Sequence, residues 1–434
     1  MSARNMNPFR QDHDASSERR SLWLAAYERV RKATESLCAP LETEDYVIQT
    51  APETSPAKWH LAHTSWFFET FLLVPYLPAY CRYHADYDRL FNSYYEQLGS
   101  PWPRAERGLL ARPTVAEVYA YRKHVDQSMR SLLEQATEPN WAKVLQRLTI
   151  GLNHEEQHQE LLLSDIKLNF SANPLRPAYR ADLHDPSGRG APAMNWKTFP
   201  GGVYELGQRG EDFSFDNEGP RHRIYLRPFR LASRLVTNAE YLAFMADDGY
   251  GNPAHWLSDG WTTVKRLGWR SPLYWEQAGD HWRHYTLAGP RALDLEAPVC
   301  HVSHYEAQAY AAWAGKRLPV EGEWEVAAAG LPIAGNLRES GYLHPAAASP
   351  GEGLLQMYGD VWEHTASAYQ PYPGFRADPG ALGEYNGKFM CNQYVLRGGS
   401  CVTPADHIRA SYRNFFYPHE RWQFQGIRLA EDAE

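Results

Sequence analysis

The chain runs to 434 residues, more than one hydrophobic core usually serves, so two domains are expected. Its 43% hydrophobic and 22% charged residues are those of an ordinary soluble globular protein. A formal charge of -8 gives no reason to expect a polyanionic partner, so nucleic acid is not anticipated, and no apolar run is long enough for an ordinary membrane span.

Met1 to Arg20 is polar with no apolar core, which reads as a tail over residues 1–19 rather than a secretory signal, and the cytoplasm is the expected location. From residue 20 to 173 the chain reads as helical. Leu22 to Leu37 carries apolar residues at helical spacing, with the basic run Arg29-Val30-Arg31-Lys32 expected on its solvated surface. Thr54-Ser55-Pro56 resembles a cap followed by proline in the first turn, and launches a helix bearing Trp59-His60-Leu61-Ala62-His63 that Pro75 and Pro78 should close. Thr114 with Glu117 three residues on predicts a capping box and a helix to about Leu132. Thr137 to Phe170 then holds a short lead-in and a helix carrying Asn153-His154-Glu155-Glu156-Gln157-His158. Four helices with a long link across residues 79–113 fit a four-helix bundle.

Residues 174–198, rich in Pro, Gly and Ala, read as a linker that drapes over one domain, with Tyr179 and Leu183 as anchors. Over residues 199–434 short apolar runs such as Val203–Leu206 and His222–Leu226 alternate with Gly, Pro and aromatic residues. Two helices are expected there, after Val236-Thr237-Asn238 and near Ser303 to Ala314. Long loops with few regular strands are the expectation.

His154 and His158 lie four apart, so on a helix both imidazoles leave one face, a turn apart. A third imidazole from the His60/His63 turn would complete a three-histidine site with coordination positions left open, as a metal that does chemistry requires. His63 lies nearer the centre of the Trp59-Trp66-Phe67 stripe; His60 is either an outer partner or a helix-face hydrogen bonder. Glu155 and Glu156 are potential acceptors for ligand imidazole protons. Two partly buried, hydrogen-bonded histidines on a solvated turn are the bland alternative. His154-Glu155-Glu156-Gln157-His158 also matches the zincin pattern, so a zinc hydrolase or thiol transferase stands as a competitor.

Other groups read two ways. Tyr94 and Tyr95 are either hydrogen donors to a metal-bound oxygen species or a packing pair. Arg104 and Arg107 clamp a small carboxylate or bridge surface acids. Arg413-Asn414-Phe415-Phe416-Tyr417 joins a cation, an amide and aromatic faces that attract quaternary ammonium ions, or is a buried strand. Five widely spaced cysteines with no Cys-x-x-Cys pair argue against a disulfide scaffold or thiolate zinc site.

Taken together these segments resemble the ergothioneine-biosynthetic sulfoxide synthases, the hercynine oxygenases of the EgtB family, over about residues 20–432. In the first half the resemblance rests on Ser55 to His63, Phe91-Asn92-Ser93-Tyr94-Tyr95 and Gly151 to His158, and implies a DinB-type bundle. In the second it rests on Arg317-Leu318-Pro319-Val320-Glu321-Gly322-Glu323-Trp324-Glu325, Gly359-Asp360-Val361-Trp362-Glu363, Leu396-Arg397-Gly398-Gly399-Ser400 and Tyr412 to Leu429, and implies a formylglycine-generating-enzyme-like domain. The resemblance implies Fe(II) held by His63, His154 and His158. It implies Gln157 against the hercynine imidazole, and Asn414 with its neighbours Arg413, Phe415 and Phe416 about the carboxylate and trimethylammonium ends. Arg104 and Arg107 would read the carboxylate of the thiol substrate, and Tyr94, with Tyr95 beside it, would assist proton or electron delivery. The reaction implied joins imidazole C2 of hercynine to the sulfur of cysteine, or of gamma-glutamylcysteine, with O2 as oxidant; the paired tyrosines point to free cysteine. A homo-oligomer is compatible with all of this.

Overall fold

The computed structural model describes residues 16–184, 186 and 190–433. Most of the expected N-terminal tail and positions 185 and 187–189 of the linker lie outside the described residues. The chain forms two compact units. The first runs through Asn169 and takes in two distant segments, Arg209–Phe215 and Asp378–Tyr385; the second holds the rest.

The first unit is built on α1 (Ser16–Cys38), α2 (Ala57–Phe68), α3 (Val115–Gln135) and α4 (Glu138–Ser171). α3 starts on the expected box: the Glu117 amide donates to Thr114 Oγ1 at 3.2 Å and the Thr114 amide to Glu117 Oε2 at 2.6 Å. Two boundaries differ from expectation. α2 is not closed by Pro75; it widens into a π-turn at Glu69–Leu73 and runs on through Val74–Tyr76, with Pro75 inside that last turn. α4 has no separate lead-in. It is one helix of 34 residues, with Pro139 in its first turn, where a missing N–H costs nothing.

Gly151 serves the packing of α4. A Cβ there would meet Phe68 Cε1 at 2.5 Å and Phe67 Cε1 at 3.2 Å, so bare backbone lets α2 approach closely. A buried ionic knot ties the helices together. Arg31 of α1 and Arg122 of α3 both bind Glu155 of α4, at 3.0 and 2.6 Å, and reach Ser65 (2.9 Å) and Thr64 (3.2 Å) of α2. Arg31, expected on a solvated face, is therefore core.

The second unit is poor in regular structure. β1 (Trp196–Phe199), β4 (Phe229–Ala232) and β12 (Ala430–Asp432) form one antiparallel sheet, and β2 (Gly202–Leu206) pairs with β3 (His222–Leu226). β5 (Trp275–Ala278), β6 (His281–Thr286) and β7 (Gly289–Ala292) form a meander. β8 (Trp362–Ala368), β9 (Tyr394–Arg397), β10 (Asn414–Phe416) and β11 (Gln425–Gly426) make a four-stranded sheet in the order β10-β9-β8-β11.

The two expected helices, α5 (Asn238–Ala246) and α7 (His304–Trp313), are capped by Thr237 and Ser303; α6 (Ser258–Leu267) and α8 (Glu321–Ala328) complete the set. The sequence motifs of this half meet as buried ion pairs. Arg397 binds Glu321 at 2.8 Å and Glu325 at 2.9 Å, and Arg428 binds Glu363 at 2.6 Å. Those motifs hold the loops together. Of the linker, Tyr179 and Leu183 are buried, and the Arg180 amide donates to Leu287 O at 3.0 Å. Among the described residues, no helix is long and apolar enough to cross a membrane.

Candidate metal centre

The π-turn and the Gly151 contact set α2 against α4 so that imidazoles from both helices converge. One nitrogen from each of His63, His154 and His158 lies within 4.8 Å of the others, and all three side chains are buried. The facing atoms of His63 and His154 are both Nε2, 3.1 Å apart. The back of His63 is held by Phe91: Nδ1 lies 2.5 Å from its carbonyl oxygen, so Nδ1 carries the proton and Nε2 the lone pair. His60, one turn before His63, is an outer partner. Its Nδ1 lies 2.9 Å from His158 Nδ1, and its Nε2 lies 3.1 Å from the Asp165 carboxylate.

Burial keeps these rings neutral. Desolvation lowers His154 to about 3, against the opposing pull of the Glu155 carboxylate, and puts His63 and His158 well below their usual range, both pushed further by a neighbouring imidazole. Neutral imidazoles with lone pairs turned to one point are what a divalent transition metal needs. Buried His154 Nδ1 has no hydrogen-bond partner. The donor set fits a metal.

Glu155 does not back the imidazoles. Glu155 is turned into the Arg31/Arg122 knot, and Glu156 lies 4.0 Å from Arg29. The zincin reading fails for the same reason: its general base would be Glu155, which is locked between two guanidinium groups.

Tyr94 is half-buried and Tyr95 fully buried, their ring centroids 4.6 Å apart. Tyr95 also packs on Trp66, which stacks on His63. Burial raises the Tyr95 hydroxyl well above the ordinary phenol range, with Tyr94 adding to it. Arg107 is buried and lies 3.4 Å over the Trp59 ring, on which His63 is stacked at 4.5 Å. It donates to Ser55 Oγ at 2.9 Å and Ser93 Oγ at 3.0 Å, while its Nε has no partner. Desolvation, then Arg104, pushes Arg107 well below the usual guanidinium range. Arg104 itself is exposed.

Gln157 stands on the same turn as His154 and His158, and its Oε1 accepts a short hydrogen bond from Tyr385. The Tyr385 ring stacks on Phe215 at 5.3 Å and meets His154 edge-on at 5.7 Å. The preceding residue, Glu384, accepts the Glu96 and Gln97 amides at 3.0 Å each, directly after the tyrosine pair. Sequence reading missed both; nothing local marks them, since Tyr385 and Gln157 are 228 positions apart. Asp165 was legible in principle, two helical turns beyond His158 on the same face.

The expected ammonium-binding run lies in the second unit, on β10. Within that unit Arg413 pairs with Glu321 at 2.9 Å and packs on Tyr372 and Tyr369. Phe415 stacks on Tyr369 at 4.1 Å, and Asn414 Oδ1 accepts the Phe415 amide at 3.0 Å. Asn414, Phe415 and Phe416 are half-buried.

Residues 26–162 match the DinB superfamily, and residues 185–350 and 342–433 match the sulfatase-modifying factor enzyme 1-like domain. The chain is 33% identical over 417 residues to the hercynine oxygenase of Mycolicibacterium smegmatis, covering 89% of this chain and 93% of that protein. It is 34% identical over 415 residues to the hercynine oxygenase of Mycobacterium tuberculosis, covering 88% and 92%. The formylglycine-generating enzyme of Streptomyces coelicolor is 31% identical over 286 residues, 54% of this chain and 88% of that one. Cys391 is exposed and Cys401 buried, and they are not joined in a disulfide.

Proposed function

This chain belongs to the hercynine oxygenase family, and on that footing we propose that it is a non-heme Fe(II)-dependent sulfoxide synthase acting on hercynine, cysteine and O2. The observation that carries the reading is the convergence of three buried imidazoles, His63, His154 and His158, from two helices. In the reaction the C2–H and S–H bonds break and a C2–S bond forms. One oxygen atom of O2 ends on sulfur as the sulfoxide and the other leaves as water with the two hydrogens, so the four electrons that O2 takes up are balanced.

Iron held by His63, His154 and His158 would supply open coordination positions at which O2 is activated. The chain supplies the rest. Gln157, fixed by Tyr385, orients the hercynine imidazole. Arg107, with an unpartnered Nε, and Arg104 read the thiol's carboxylate. Holding both reactants in one orientation makes the coupling effectively intramolecular. Tyr94 delivers a proton or hydrogen atom, and Tyr95 and Glu384 hold its loop in place.

Anaerobic purification followed by elemental analysis should give one iron per chain. Oxygen uptake should then require hercynine and a thiol together, with cysteine preferred to gamma-glutamylcysteine in direct competition. Thiol-independent uptake, or none with iron fully loaded, would discard the proposal. Tyr94→Phe should divert turnover from sulfoxide towards cysteine sulfinate. An unchanged product ratio removes Tyr94 from that role.

A further inference from the structure

The three candidate ligands are backed in three different ways. Behind His63 is a neutral carbonyl, Phe91 O, at 2.5 Å. Behind His154 there is no hydrogen-bond partner. Behind His158 stands a second imidazole and then a carboxylate: His158 Nδ1 to His60 Nδ1 at 2.9 Å, and His60 Nε2 to Asp165 Oδ2 at 3.1 Å. All three residues of this line are buried. Asp165 and His158 are two turns apart on one face of α4, and His60 reaches between them from α2.

The protons in this line have one arrangement compatible with a metal. An ionised carboxylate only accepts, so His60 Nε2 carries a proton. His60, if neutral, then presents a lone pair at Nδ1, and His158 Nδ1 must be the donor. That leaves the His158 lone pair at Nε2, the nitrogen then available to a metal. The carboxylate thus acts through His60 to choose the tautomer of His158 and to draw its Nδ1 proton away, which makes His158 the more basic donor. The Ser55 amide, 2.8 Å from Asp165 Oδ2, fixes the carboxylate at the start of α2.

We propose that Asp165 and His60 are positioning residues for the metal, an outer relay that fixes the tautomer of His158 and makes it the strongest donor of three unequal ligands. The proposal rests on His63, His154 and His158 being the metal centre and not on the identity of the substrates. Its test needs no turnover.

Fe(II) affinity is measured anaerobically by competition with a chelator for wild type, Asp165→Asn, His60→Phe and the double variant. Each single variant should bind Fe(II) about 10–100-fold more weakly. Asparagine offers an N–H where the carboxylate accepted, which lets the whole line reverse and put a proton on His158 Nε2. The double variant should be no weaker than His60→Phe, because without the middle ring Asp165 has no route to the ligand. His60→Phe leaves the Asp165–Ser55 bond intact and so tests the relay even if Asp165→Asn loosens the helix start. Wild-type affinity in His60→Phe or Asp165→Asn overturns the proposal, as do losses that multiply in the double variant. Loss of hercynine-dependent oxygen uptake with normal Fe(II) affinity throughout would overturn the relay as well, whereas the expected affinities in a protein inactive on hercynine would fault only the substrate assignment.

Discussion

Replacing His158 with alanine should strip the protein of stoichiometric iron and reduce thiol-dependent oxygen uptake by about a thousandfold, equivalent to about 4 kcal/mol of barrier. Each of the three imidazoles supplies one of the ligand atoms gathered within 4.8 Å, and among the described residues no other group of three metal-ligating side chains converges this way. His60 is adjacent, but its two nitrogens are occupied by His158 and Asp165, so it is not poised as a substitute. Two remaining imidazoles offer too few ligands to hold Fe(II) against water. Iron content and an oxygen electrode read the two losses separately. A His158→Ala protein that keeps both its metal and its uptake would place the centre elsewhere. Gln157→Ala is the matched control: it lies on the same turn and should spare the iron while weakening turnover with hercynine.

The second large effect is on stability. Glu155→Gln should destabilise the bundle by about 3–5 kcal/mol, because two guanidinium groups lose their shared counter-charge in a fully buried position. In a domain of this size that lowers Tm by about 10 °C. Burial alone would push the Glu155 carboxyl up, but Arg122 and then Arg31 hold it down at about 2. Since its pKa is depressed in the fold, the stabilisation it gives is present above the unfolded carboxylate range and is lost as pH falls towards 2. Wild type should therefore shed stability on acidification in a step that Glu155→Gln lacks. Glu35, which meets Arg122 at 3.0 Å from a half-exposed position, should cost under about 1 kcal/mol when changed to Gln. Equal losses at the two sites, by thermal or denaturant unfolding, would refute the knot as a buried one.

These two glutamates and three histidines also mark where sequence reading worked and where it stopped. The capping box at Thr114, the helices after Thr237 and near Ser303, and the pairing of His154 with His158 follow from rules that act within one or two turns, and each was legible. The turn Asn153 to Glu160 is visibly polar in the sequence. Its residues could not be sorted, though, because neighbouring positions on a helix face different ways and each face needs its own partner. His154 turns to α2, while Glu155 turns to Arg31 and Arg122. Arg31 looked like one more charge in a basic run, since the acids it meets are about a hundred or more positions away.

Length, patterning and short motifs were enough to anticipate two domains, a helical bundle, the His154/His158 pair with a third imidazole from the His60/His63 turn, and a loop-rich second half, because each of these is written in spacings that a few neighbouring residues satisfy. Tertiary packing alone separated His60 from His63, which differ in sequence by one turn and in the fold by whether the ring meets Asp165 or the Phe91 carbonyl. It also brought Tyr385 to Gln157 and committed Arg413 to Glu321. Such contacts join positions tens to hundreds of residues apart, and a buried polar group takes whichever partner the packing presents, a choice no local pattern records.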